Sequence, residues 1–128
     1  MKFLEMFRKW EDVEEFAARA VIFSEGEPAD VMYLIISGEI ELTLRGESLG
    51  AEGEGGIIGE MAIISSATRS ATATALSNVR LARLNREQFR EIVAENSEFS
   101  VHVMAILANR LRAVDKFITT QFTLNGSR

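Results

Sequence analysis

Between Val13 and Leu44 the chain runs through four short stretches, VEEF, AVIF, VMYLIIS and EIELTL, each rich in β-branched and aromatic residues. Turn chemistry bounds them: Glu25-Gly26-Glu27-Pro28 carries the single proline, and Ser37-Gly38-Glu39 separates the last two. Runs this short, closely spaced and punctuated by Gly and Pro predict antiparallel strands, and several in series predict a sandwich or barrel. ATRSATATAL and VRLARL resume the strand pattern as far as Leu84. Six of the nine glycines fall between Gly46 and Gly59, where backbone freedom or the close approach of a ligand is expected.

Helical spacing appears on either side of this β portion. Phe3, Met6, Phe7 and Trp10 recur with Lys2, Glu5, Arg8 and Lys9 between them, which predicts a short amphipathic helix over 2–10 docked by its apolar stripe. Asn85 is a good N-cap for REQFREIVAEN, whose Phe89, Ile92 and Val93 share a face. Asn96-Ser97 breaks that helix, and Phe99 to about Phe117 reads as a longer one with Val103, Ile106, Leu107, Arg110, Leu111 and Val114 along one side. The C-terminal helices are expected over 86–118. Residues 119–128 lack a repeating pattern and read as a frayed tail.

At 128 residues, 47% apolar and 26% charged, the chain is one soluble domain by length and composition. A net charge of -5 argues against a broad nucleic-acid footprint, so any anion site must be local. The absence of cysteine removes disulfides, thiolate metal sites and cysteine nucleophiles, and fits a reducing cytoplasm. No stretch approaches the length of a membrane span or a signal-peptide core, so neither a membrane partner nor export is expected.

Gly59-Glu60-Met61-Ala62 followed by Arg69-Ser70-Ala71-Thr72 isolates one acid and one base in a segment of small and apolar residues; Arg69 is the only basic residue between Gly46 and Val79. Alone, the pair fits either an ion pair across neighbouring strands or a site for a small anion that also carries hydroxyls. Should Met61 to Ile64 form one helical turn, its free N–H groups would face an anion, and Arg69 would add a two-pronged contact. The glycine loop ahead of it is neither a dinucleotide fingerprint nor a P-loop. Ile58 stands where G-x-G-x-x-G needs its third glycine, and no G-K-[S/T] exists.

GEMAIISSATRSATATA resembles the phosphate-binding cassette of the cyclic nucleotide-binding domain family, whose pattern is G-E-[L/M]-A, a short spacer, then P-R-x-A-T. VIFSEGEPADVMYLIISGEIEL is similar to the strands and turns that open that family's β-roll, and the two closing helices also correspond. The resemblance implies a mainly β fold with flanking helices: an antiparallel double-stranded β-helix, or jelly-roll-like β-roll, over 13–84 with its cassette at 59–72, a short N-terminal helix and two C-terminal ones. It implies that Glu60 takes the ribose 2′-hydroxyl, that Arg69 takes the cyclic phosphate, and that Gly59, Met61, Ala62 and Ser70 line the cradle. The ligand implied is cAMP, with cGMP the other candidate; Ser70, where some guanine-favouring members carry threonine, leans mildly toward adenine. Val114 and Asp115 fall where the last helix would cover the base, although Val114 equally suits a dimer seam and Asp115 a solvated surface. Thr68 replaces the family's proline and Arg19 its glycine in the first strand pair.

The expected function is a stand-alone sensor read by an effector protein through movement of the C-terminal helices. The alternative is a degenerate β-roll interaction module that has stopped binding nucleotide. The apolar stripe of the long helix either packs on the roll or joins a homodimer. DNA binding is not expected, because only about ten residues follow the long helix and they are not basic. The single histidine, His102, reads as a packed or solvated helix residue, so neither a metal, a cofactor nor an enzymatic activity is expected.

Overall fold

The computed structural model describes residues 2–65 and 68–126. Among the described residues, eight strands form two antiparallel four-stranded sheets. The first contains β1 (Val13–Phe16), β8 (Val79–Asn85), β3 (Val31–Ser37) and β6 (Ile57–Ile58), in that order. The second contains β2 (Val21–Phe23), β7 (Thr72–Ala75), β4 (Ile40–Leu44) and β5 (Glu47–Glu52). Around them lie α1 (Lys2–Arg8), α2 (Met61–Ile64), α3 (Arg86–Glu95) and α4 (Ser97–Gly126). This is the β-roll with a short N-terminal helix and closing helices that the sequence resemblance implies.

The almost unbroken apolar run of β3 follows from its position between two cores. Side chains alternate across a strand. Met32, Leu34 and Ile36 therefore join the helix-side core with Phe3, Phe7, Phe89 and Phe99, while Tyr33 and Ile35 enter the core between the sheets with Phe23, Ile40 and Leu42. β8 divides in the same way, with Ala82 and Leu84 on the helix side and Val79 and Leu81 between the sheets.

Several helix boundaries follow the sequence signals. Asn85 caps α3 through a reciprocal box: its Oδ1 accepts from Gln88 N at 2.8 Å, and Gln88 Oε1 accepts from Asn85 N at 2.9 Å. Asn96 ends α3 and starts α4, its Oδ1 accepting from Phe99 N at 2.9 Å. Other boundaries differ. α1 stops at Arg8 rather than at residue 10, and the last N–H groups turn back by three residues, Trp10 N to Phe7 O at 3.1 Å. Leu4, not Met6, completes its buried face; Met6 is 38% exposed.

Glu47–Glu52 is a strand rather than part of a glycine loop, because Arg45 and Gly46, with φ of 52° and 81°, make a two-residue turn that folds β5 back on β4. The tail expected from residue 119 onward is helical as far as Gly126; its last two residues lie outside the described set. Weak periodicity hides a helix that simply propagates from a well-packed start.

Arg19, where the family carries glycine, has a φ of 77°, a region that costs a side-chain-bearing residue roughly 1–2 kcal/mol. Its backbone N–H donates to Ala75 O at 2.7 Å, a bond glycine would keep. Arg19→Gly is expected to raise stability by about 1 kcal/mol, read as a higher urea midpoint at unchanged slope.

Candidate functional site

The site forms where the turn after β6 meets the start of β7. Gly59 takes a φ of 77°, and a Cβ built on it would stand 2.4 Å from Arg69 Nη1. Only glycine lets the backbone come this close to the guanidinium. The chain then enters α2, the predicted single turn. Ile63 N and Ile64 N donate to Glu60 O at 3.0 and 2.9 Å, so within this turn the N–H groups of Met61 and Ala62 are the ones without a helical partner.

Arg69 is 6% exposed. Its Nη1 donates to Val31 O at 2.6 Å and to Gly59 O at 3.3 Å, and its Cζ lies 4.2 Å from the Phe23 ring centroid. Burial lowers its pKa from the ordinary arginine value, with Tyr33, Glu27 and Asp30 opposing; an arginine remains charged nonetheless. The backbone on either side is fixed to the proline turn, Arg69 N donating to Glu27 O and Gly26 N to Arg69 O, both at 2.8 Å. Thr68 bridges to Pro28, so the turn holds without the family's proline. Among the described residues no carboxylate forms an ion pair with Arg69, and none of them makes a hydrogen bond with its Nη2 or Nε. Neither nitrogen is sealed off from solvent.

Glu60, 2% exposed, has a different partner. Arg110, projecting from α4, donates through Nη1 to Glu60 Oε1 and through Nη2 to Ile57 O. Glu52 stands on its other side, Oε1 3.5 Å from Nη2. Burial lowers the Arg110 pKa from the ordinary value and the Glu52 carboxylate pulls it back up. Glu60 and Arg69 therefore do not neutralise each other. Sequence reasoning placed Arg110 on the helix stripe and gave it no role; the available signal was a lone charge among Val103, Ile106, Leu107, Leu111 and Val114.

These groups share one cavity of about 500 Å3. Gly59, Glu60, Met61, Ala62, Arg69, Ser70 and Val114 all line it, and Asp115 does not; Asp115 is exposed. The remainder of the wall is aliphatic or aromatic, with Leu42, Leu44 and Leu49 from β4 and β5, Phe23 from β2, and Leu107 and Leu111 from α4. The cavity thus sets a few charged groups, Glu60, Arg69 and Arg110, among mostly apolar walls. His102, outside it, is a packed helix residue, its Nε2 2.6 Å from Gly55 O.

A family model for the cyclic nucleotide-binding domain matches residues 13–96, from the first strand through α3. The chain belongs to the cyclic nucleotide-binding domain family. It is 32% identical over 103 residues to the CRP-like cAMP-activated global transcriptional regulator of Mycobacterium tuberculosis, an alignment covering 77% of this chain and 46% of the regulator. It therefore spans about half the length of that relative. Among solved structures it resembles the catabolite activator protein of Thermus thermophilus, at 26% identity and a TM-score of 0.71, over 94% of this chain and 59% of that one. It also resembles a half-site-occupied form of the EAL enzyme Bd1971, at 35% identity and a TM-score of 0.59, over 81% of this chain and 97% of that one.

Removing Arg110 strands Glu60 as an unpaired buried carboxylate. Arg110→Ala is expected to cost about 3 kcal/mol in chemical denaturation, well beyond a surface arginine such as Arg112→Ala.

Proposed function

We propose that this chain binds cAMP and reports it through α4. The observation that carries the reading is the free edge of Arg69: a buried guanidinium held by carbonyls, with no carboxylate paired to it among the described residues, in a cavity whose walls are mostly apolar. Nη2 and Nε offer a cyclic phosphate a two-pronged charge-assisted contact, joined by the Ser70 hydroxyl. Glu60 has one oxygen engaged by Arg110 and one left to accept a ribose hydroxyl. Gly59, Met61 and Ala62 line the cradle. The base lies against Leu42, Leu44, Leu49 and the α4 residues Leu111 and Val114. Aliphatic walls favour adenine, because guanine brings more polar groups that would lose water without a partner. The Mycobacterium tuberculosis relative, described as cAMP-activated, supports the choice.

Leu107, Arg110, Leu111 and Val114 all come from α4, so ligand bears directly on that helix and shifts whichever α4 position binds it better. The stripe anticipated as either core or seam does not act as one: part of it is core, and Leu111 falls in a separate exposed row that the sequence reading did not single out. Val103 and Ile106 are buried in the helix-side core. Val101, Met104, Leu111 and Ile118 are 58–70% exposed at spacings of three and seven, the seam of a two-helix coil. A homodimer through this second stripe covers apolar surface otherwise left in water.

Calorimetric titration tests the ligand. cAMP is expected to bind more tightly than cGMP or 5′-AMP, and Arg69→Ala to weaken it by more than about 2 kcal/mol. Absence of heat with every cyclic nucleotide would refute the reading. In sedimentation analysis, Met104→Glu together with Leu111→Glu is expected to convert a dimer into a folded monomer; an unchanged sedimentation coefficient rejects the α4 seam.

A further inference from the structure

Glu52 closes β5 opposite Ile40, with its side chain 23% exposed and its Oε1 3.5 Å from Arg110 Nη2. It does not line the cavity; it stands behind Arg110. The backbone makes room for it, since a Cβ at Gly56 would lie 2.9 Å from Glu52 Oε2. Arg110 already donates through Nη1 to Glu60 and through Nη2 to Ile57 O, and Glu52 adds a second carboxylate beside Nη2.

The consequence is electrostatic. The ionised residues of the cavity wall are Glu60, Arg69 and Arg110, one carboxylate against two guanidiniums, and a single surplus positive charge attracts a monoanion such as a cyclic phosphodiester. Glu52 cancels that surplus from behind the wall. Like charges repel through a partly buried site with little screening, so every anion that enters is opposed by a carboxylate it never touches.

We propose that Glu52 is an affinity-lowering residue, which neutralises Arg110 and so keeps anionic ligand exchangeable instead of trapped. The inference rests on the reading of the cavity as a cyclic nucleotide site. It makes Glu52 a residue acting through Arg110, with an effect opposite in sign to that of a structural brace. A brace, once removed, loosens Arg110 and weakens binding; removal of a repelling charge tightens it.

The test is calorimetry of wild type, Glu52→Gln and Glu52→Asp with cAMP and with uncharged adenosine, at about 20 mM and about 500 mM salt. Glu52→Gln is expected to lower the Kd for cAMP by about fivefold at low salt, with a smaller gain at high salt. Glu52→Asp keeps the charge and stays near wild type, and adenosine shows no gain. If Gln disturbs folding, Glu52→Ser removes the same charge and carries the same expectation. Unchanged or weaker cAMP binding on loss of the charge, or an equal gain for adenosine, overturns the inference while leaving the ligand reading intact. No cAMP binding to any form overturns both.

Discussion

The site depends on β3 being buried on both faces. A strand packed between two cores is held rigidly, and it sets the position of the Val31 carbonyl at its start and, through its pairing with β6, the Ile57 carbonyl. Those two carbonyls receive the two arginines, Arg69 from the end of the cassette and Arg110 from α4. Neither guanidinium is placed mainly by an ion pair on the surface. Each is held in part by a backbone carbonyl, so the strand ladder helps set its position, with the buried Glu60 carboxylate as a further anchor for Arg110.

That arrangement separates charge within a small space. Glu60 and Arg69 are both almost fully buried, and direct contact between them would leave nothing for a ligand. Arg110 takes up Glu60 instead, and Arg69 keeps a free edge. The cassette supplies one acid and one base, while the closing helix supplies the second base that keeps them apart.

Most of the fold was legible in the sequence because its punctuation is local. Asn85 and Asn96 act through their own side chains within three residues, and the turn glycines act through their own φ. The cassette was equally legible, since Gly59 to Ser70 is one short segment. What was hidden depends on tertiary proximity. β5 carries one glycine of the loop region, Gly50, and little apolar pattern, and it forms because the Arg45-Gly46 turn returns it to β4. Arg110 and Glu52 lie 50 and 8 residues from Glu60 along the chain, and only the closing of α4 over the roll brings all three together. The helical path to Gly126 follows a segment whose sequence shows no amphipathic repeat.

The anchoring of α4 is uneven. Its first turns are clamped: Phe99 meets Phe3 edge to face at 5.3 Å, His102 meets the same ring at 5.0 Å, and Val103 and Ile106 complete the helix-side core. Beyond Val114 the described side chains of Asp115, Lys116, Ile118 and Thr119 stand in solvent. The helix is thus a cantilever with its fulcrum near Ile106, and Arg110 stands one turn further on. From Ile106 to Gly126 it extends roughly 30 Å at about 1.5 Å per residue, so a tilt of about 5° at the fulcrum carries the free end through roughly 3 Å. Displacements too small to disturb the packing around Phe99 arrive at the far end several times larger.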